Sequence, residues 1–366
     1  MFKRIISYFI LLLCSTIIFG KTNPKIKFEY GVELQSWFDN TEFGGCKFQN
    51  DQTMAGVRII PEIGIGIDSI HHLRIGATAA TNWGGMGNIF EIQPVAYYEM
   101  NYKPFRFIIG AFPRANSIRE YPRIFFQDSI SFYRPTLTGL LWQIGNKKHY
   151  FDIWLDWTSR QTTKTRETFF VGWTGRTSWN IFFARHYGYM FHYAKMKNAP
   201  QGQYIHDNCL FLTELGLDFK SLTPQMDQFN FTAGWVLGLE DNRGETDWLL
   251  HHAALIRINA EWRGLGIENS FYIGQGQMNF YNKQGNNLYW GDPIYRANLY
   301  NRTDLYLRLI DTKMIDLKIN VVAHYVEKRI WMEQCLTLSF DFNNYRTKEI
   351  KTQNPFWKNW FKKIRK

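Results

Sequence analysis

Beyond residue 20 the 366-residue chain has no run of 18 apolar residues, which excludes a bundle of membrane-spanning helices. Its 45% hydrophobic content in turn excludes a disordered chain. Cysteine is scarce, four in all, and Cys14 falls in a segment expected to be removed. Cys46, Cys209 and Cys335 then remain, an odd set that allows at most one pair in an oxidising compartment and no disulfide framework. There is no GxGxxG, Walker loop, HExxH or CxxC, so the common dinucleotide, nucleotide, zinc-protease and thiol-redox signatures are missing. His71 adjoins His72 and His251 adjoins His252, but neighbours on a strand point opposite ways and rarely share an ion. No metal and no cofactor is expected.

Aromatics and positive charge are plentiful. The chain carries 30 Phe, 20 Tyr and 14 Trp, and its formal net charge is +11. Lys3 and Arg4 precede an apolar stretch, Ile5 to Phe19, closed by Gly20. Charge, then apolar core, then small residue is the pattern of a secretory signal peptide, expected over 1–20. Its loss removes two basic residues and lowers the charge from +11 to +9. An exported chain meets no genome, so no nucleic-acid partner is expected, and the surplus concerns membrane surfaces, anionic sugars or anionic solutes.

From residue 25 onward the apolar residues recur at every second position. Ile26, Phe28, Tyr30, Val32 and Leu34 alternate with Lys27, Glu29, Gly31, Glu33 and Gln35, which is the period of a strand and of no helix. Val57, Ile59, Ile63, Ile65 and Ile67 oppose Arg58, Glu62, Gly64 and Gly66, and Ile315, Leu317, Ile319 and Val321 oppose Asp316, Lys318 and Asn320. About sixteen such segments begin near residues 25, 53, 72, 89, 105, 137, 149, 167, 179, 209, 228, 250, 266, 297, 315 and 330. Short connections alternate with long ones, apart from 82–88 and 326–329. That is the habit of an up-and-down barrel with tight periplasmic turns and long outer loops. In hydrocarbon every backbone polar group must be paired, so alternating strands can cross only as a closed sheet. Trp37, Tyr98, Tyr102, Phe105, Trp157, Trp262, Tyr325 and Phe342 lie near strand ends, where aromatic rings favour the lipid–water boundary.

The signal segment, the alternating strands and the final strand Trp331–Phe342 (WMEQCLTLSFDF), which ends on an aromatic, together resemble porin-like outer-membrane barrels of Gram-negative bacteria of the Bacteroidetes kind. The resemblance implies an all-β, transmembrane, antiparallel up-and-down barrel over 21–342 in the cell outer membrane. It also implies contact with outer-membrane lipids and the barrel-assembly machinery, and it supplies no catalytic residues. Such barrels commonly end at the last aromatic, whereas here a basic tail, 343–366, follows. From Pro355, Phe356, Trp357, Trp360 and Phe361 fall on one face of a helix ringed by lysines, so a short amphipathic helix on the periplasmic membrane face is expected.

The polar faces carry Arg58, Glu62, Arg74, Glu91, Glu99, Arg106, Arg257 and Arg302, read as a mixed-charge lumen. For any one of them a cross-strand ion pair that only solvates the wall is the plainer account. The longest connection holds Arg114, Arg119, Arg123 and Arg134 among aromatics. By analogy with general porins it folds inward as a constriction, with Gly31, Gly56, Gly64, Gly66, Gly76 and Gly110 leaving room, although those glycines also serve to bend strands. His324 has inward parity and the clearest outward polar residues are Asn269, Asn301, Thr303 and Gln334, so no lipid-facing triad emerges and no enzyme is expected. The expected function is passive diffusion of small hydrophilic solutes, anionic ones if the loop arginines set the constriction. The alternative is a structural or surface-binding barrel whose loop aromatics Phe280, Tyr281, Tyr289 and Trp290 stack on polysaccharide, or which engages lipopolysaccharide or a partner protein. Nothing in the pattern sets the oligomeric state. For the tail, replacing Trp357, Trp360 and Phe361 by Ser should weaken vesicle flotation of the isolated peptide; unchanged flotation would contradict an interfacial helix.

Overall fold

Alternating polarity becomes a closed cylinder in the computed structural model, which describes residues 24–84, 89–346, 350–352 and 355, with the side chains of 89–91 left out. The expected signal segment and the tail residues Phe356, Trp357, Trp360 and Phe361 lie outside the described residues. The strands are β1 (Ile26–Glu42), β2 (Gln52–Ile67), β3 (His71–Asn82), β4 (Ile89–Tyr102), β5 (Phe105–Pro113), β6 (Thr136–Gly145), β7 (Tyr150–Ser159) and β8 (Thr168–Trp179). They continue as β9 (Phe182–Tyr193), β10 (Ile205–Asp218), β11 (Gln228–Arg243), β12 (Leu249–Trp262), β13 (Leu265–Gly274), β14 (Leu299–Asp311), β15 (Ile315–Val326) and β16 (Arg329–Asn343). Each pairs antiparallel with its neighbours in sequence, and β1 closes on β16 from Gly31↔Asn343 to Glu42↔Met332. Closure leaves no sheet edge unpaired, which is what hydrocarbon demands.

The two faces of each strand separate as the alternation predicts. Ile63, Ile65, Leu73, Ile75, Leu215 and Leu305 are exposed on the outer wall, while Arg58, Glu62, Arg74, Asp152, Glu214 and Arg257 are buried inside. Tyr102, Trp157, Trp262, Tyr325 and Phe342 are exposed near strand ends. Trp37 differs from the boundary role expected of it. It is fully buried and stacks on Phe132 of an inserted loop, with ring centroids 5.0 Å apart, because its parity on β1 is that of inward-facing Glu33 and Asp39.

The short described helices, Asp128–Tyr133 and Tyr281–Gln284, belong to outer loops. Both loops turn into the barrel, where backbone bonds join them, from Gln127 N to Trp290 O at 2.8 Å and from Asp292 N to Arg123 O at 2.9 Å. Ile124 and Phe125 are fully buried. Phe125 meets Tyr189 of β9 at 5.6 Å, Phe126 meets Trp290 at 6.2 Å, and Trp290 meets Phe170 of β8 at 4.6 Å. The result is a hydrophobic core inside a polar lumen. Glycine makes room for it in the wall: a Cβ on Gly172 would lie 2.1 Å from the Trp154 ring, an overlap that requires the buried indole to shift in a close-packed interior.

Phe125→Ala should cost about 3–5 kcal/mol of loop docking. The expected outcome is trypsin cleavage between Arg114 and Arg134 in proteoliposomes, with the barrel still migrating as a compact band before boiling. Protection equal to that of the unaltered protein would show that the ring contributes little to docking.

Candidate functional site

The lumen charges predicted from sequence fall into three groups. Arg74 bonds Glu29 at 2.8 Å and also reaches Glu99, and Arg106 holds the other oxygen of Glu99 at 2.7 Å. Glu62 accepts from Tyr345 at 2.7 Å, so this first group is a wall network between β1 and β5. Glu91 is among the residues whose side chains are not described. Arg302 forms the second group with Asp304 at 2.8 Å, Glu333 at 3.2 Å and Asp128 at 3.2 Å.

The third group surrounds a chamber of about 710 Å³ beneath the inserted loops, lined by Arg58, Arg114, Arg119, Arg123 and Arg257. Gln228 and Asn230 at the start of β11 and Lys351 also line it, which puts it toward the short-turn, periplasmic end. Most of its cations are partnered. Arg58 donates to Gln35 at 2.6 Å and to Glu33 at 3.2 Å, and Arg114 pairs with Asp156. Arg119 bonds Asp152 at 2.8 Å, and Arg257 grips both oxygens of Glu214 at 2.7 and 2.8 Å. Glu214 is shared with Arg185, so two guanidiniums divide one carboxylate. Glu120 faces the water of the chamber although the barrel encloses it. Burial alone would raise its pKa, but Lys351, Arg123, Lys318 and Arg257 outweigh burial and hold it below the usual carboxylate range. Arg123 latches the loop to the wall through Asp304 at 3.4 Å and Glu268 at 3.5 Å, and within the loop it bonds Asp128 at 2.9 Å. Burial and nearby Arg302 oppose its charge; those three carboxylates prevail and hold its pKa well above the ordinary value.

The sugar-stacking role expected of the second loop fails for two of its rings. Tyr289 and Trp290 are buried, Tyr289 donating to Glu240 at 2.7 Å and Trp290 packed on Phe170 and Phe126. They serve the plug.

On the outer wall the register assembles a pair that alternation alone does not reveal. Tyr187, Tyr189 and Phe191 face inward on β9 against the loops, so His192 faces outward near the outer end. Asp207 faces outward on β10 directly across from it, with His192 Nδ1 2.7 Å from Asp207 Oδ1. Arg243 at the end of β11 donates to Asp207 Oδ2 at 2.6 Å. The His192 ring lies 5.0 Å from Phe169, which neighbours exposed Trp157, so the pair sits at the level of the outer aromatic boundary. Its second nitrogen, Nε2, remains for other work. Among the described residues, other outward polar groups lack this make-up. His186 bonds Thr213 at 2.9 Å and lies 6.4 Å from the Phe211 ring, and Asn269 is occupied by Asn301 at 3.2 Å and Thr303 at 2.8 Å.

A model of the family described as lipid A 3'-O-deacylase-type matches residues 21–346. A family of deacylases is a family of enzymes, and this finding overturns the expectation of a barrel without catalysis. No curated protein matches the sequence. Among solved structures, a loop L8 deletion mutant of OmpT, an outer membrane protein of Vibrio cholerae, is 7% identical, with 87% of this chain and 99% of that one covered at a TM-score of 0.52. OmpF of Salmonella typhi, solved with daunomycin, is 10% identical, with 87% and 98% covered at 0.50. Likeness at this identity concerns the fold: a porin-like barrel of the outer membrane.

Arg123→Ala would leave Asp304 and Asp128 short of positive charge inside the barrel, a loss of up to about 3–5 kcal/mol. The temperature at which the compact gel band disappears should fall; an unchanged temperature would show that Arg302 alone neutralises the cluster.

Proposed function

The chain belongs to the lipid A 3'-O-deacylase-type family, and from that premise we propose that it hydrolyses an acyl ester of lipid A at the outer leaflet, using the His192–Asp207 pair on its outer wall. The observation that carries this reading is the 2.7 Å contact between an outward imidazole and an outward carboxylate at the lipid boundary. Asp207 accepts from Nδ1, which fixes the tautomer that leaves Nε2 free as a base. Nε2 takes a proton from water, whose oxygen attacks the ester carbonyl. The C–O bond to the sugar then breaks, and the imidazolium returns the proton to the departing alkoxide, leaving a free fatty acid and a sugar hydroxyl. Arg243 holds Asp207 from the other side, and its half-exposed side chain faces the zone of anionic headgroups.

A second reading, passage of small anionic solutes, is favoured by one observation, the arginine-lined chamber. It requires the paired loops to move, since they fill the lumen above that chamber.

His192→Gln should lower the rate of acyl release from lipid A micelles by about 10²–10⁴-fold without altering the barrel's gel mobility, and Asp207→Asn should act in the same direction. An unaltered rate in His192→Gln would refute the assignment. For the second reading, planar-bilayer recordings should give anion preference that reverses in Arg119→Glu; cation preference in the unaltered protein would exclude it.

A further inference from the structure

Across the seam where the barrel closes, Asp39 of β1 is paired with Cys335 of β16, and Glu333 lies two residues along β16 on the same inward face. We propose that Asp39, Glu333 and Cys335 form a binding site for a thiophilic divalent cation of the zinc class on the lumen wall. The site is independent of the outer His192–Asp207 pair, which lies on the other face of different strands.

The ligand atoms already converge. One carboxylate oxygen from each acid and the Cys335 sulfur all lie within 4.8 Å of one another, and Cys335 Sγ is 2.9 Å from Glu333 Oε1. Bonds of about 2.0–2.3 Å from one central ion would span such a set after small side-chain adjustments. Asp39 is 3% exposed, yet its Oδ1 has no hydrogen-bond partner among the described residues. A buried carboxylate oxygen left unpaired is costly unless a cation or proton meets it.

Charge counting favours a divalent ion. Asp128, Asp304, Glu268 and Glu333 share the guanidiniums of Arg123 and Arg302, and Asp39 stands beside Glu333 with no ion pair of its own among the described residues. A divalent cation would offset the excess of negative charge, and the thiol would release its proton on binding. The sulfur argues against calcium or magnesium, which prefer oxygen alone. Behind Glu333 stands an orienting chain: Tyr300 hydroxyl lies 2.7 Å from His324 Nδ1, and His324 Nε2 lies 2.8 Å from Glu333 Oε2. A histidine–carboxylate hold of this kind sets the direction of a metal-binding oxygen. Cys335 is half-buried rather than sealed, on the inward face of β16. Bound there, an ion would tie the first strand to the last.

The test uses the folded, detergent-solubilised barrel, stripped with EDTA and titrated with Co²⁺. A thiolate-to-cobalt charge-transfer band should appear and be displaced by Zn²⁺; it should persist in the Cys46→Ser/Cys209→Ser double variant and vanish in Cys335→Ser. Absence of the band, or its survival in Cys335→Ser, would overturn the proposal. Should Cys335→Ser fail to close into a barrel, Asp39→Asn keeps both shape and thiol. There Co²⁺ affinity should fall by at least about tenfold, and unaltered affinity would count against the site.

Discussion

The joining of β1 to β16 imposes the conditions under which everything else in this protein is built. An unpaired strand edge in hydrocarbon exposes a row of N–H and C=O groups with nothing to bond, each at a cost of several kcal/mol. Closing the sheet removes that cost, and it also creates two environments that a single strand must satisfy at once. Every second side chain meets lipid and every other one meets the interior. Outward Leu34 and Ile59 are cross-strand partners, as are inward Gln35 and Arg58, and a one-residue slip would exchange those surroundings.

A sixteen-strand cylinder is wide enough to leave a water-filled lumen, and this one spends that space on its own loops. The segment from Arg114 to Arg134 and the segment before β14 meet through main-chain bonds and a cluster of rings, then anchor to the wall by Arg123 and Arg302. Such ion pairs are specific more than stabilising, because desolvation offsets much of their attraction. They fix which carboxylates the loop finds. Apolar packing by Phe125, Ile124 and Trp290 supplies the adhesion. Filling the outer half in this way leaves an inner chamber on the periplasmic side and turns attention to the outer wall as the place where lipid chemistry can occur.

Much of the fold was legible in the alternation of β1, β2 and β15, where apolar and polar residues take strict turns and the strand starts lie within a few residues of those expected. Trp37 was misread because a tryptophan near a strand end satisfies the boundary rule, while its parity, the stronger signal, points it inward. The second inserted loop was opaque because Tyr289, Trp290, Ile294 and Tyr295 follow no period; Trp290 is buried by Phe126, a loop residue more than 150 positions away, and by Phe170 of the wall, and Tyr295 by Tyr272 and Tyr300. His192 and Asp207 escaped for a related reason. Each is an unremarkable polar residue on its own strand, and only the β9–β10 register makes them a pair. Asp39 and Cys335 lie nearly 300 residues apart in sequence and become neighbours solely through closure.

The central claim is that the outer wall of this barrel carries out ester hydrolysis on lipid. The most direct measurement reconstitutes it in vesicles containing lipid A, in water enriched with oxygen-18, and follows the released acid by mass spectrometry. The account predicts free fatty acid bearing one label per molecule and lipid A lacking that chain. Lipid A left intact by a fully folded barrel would contradict it.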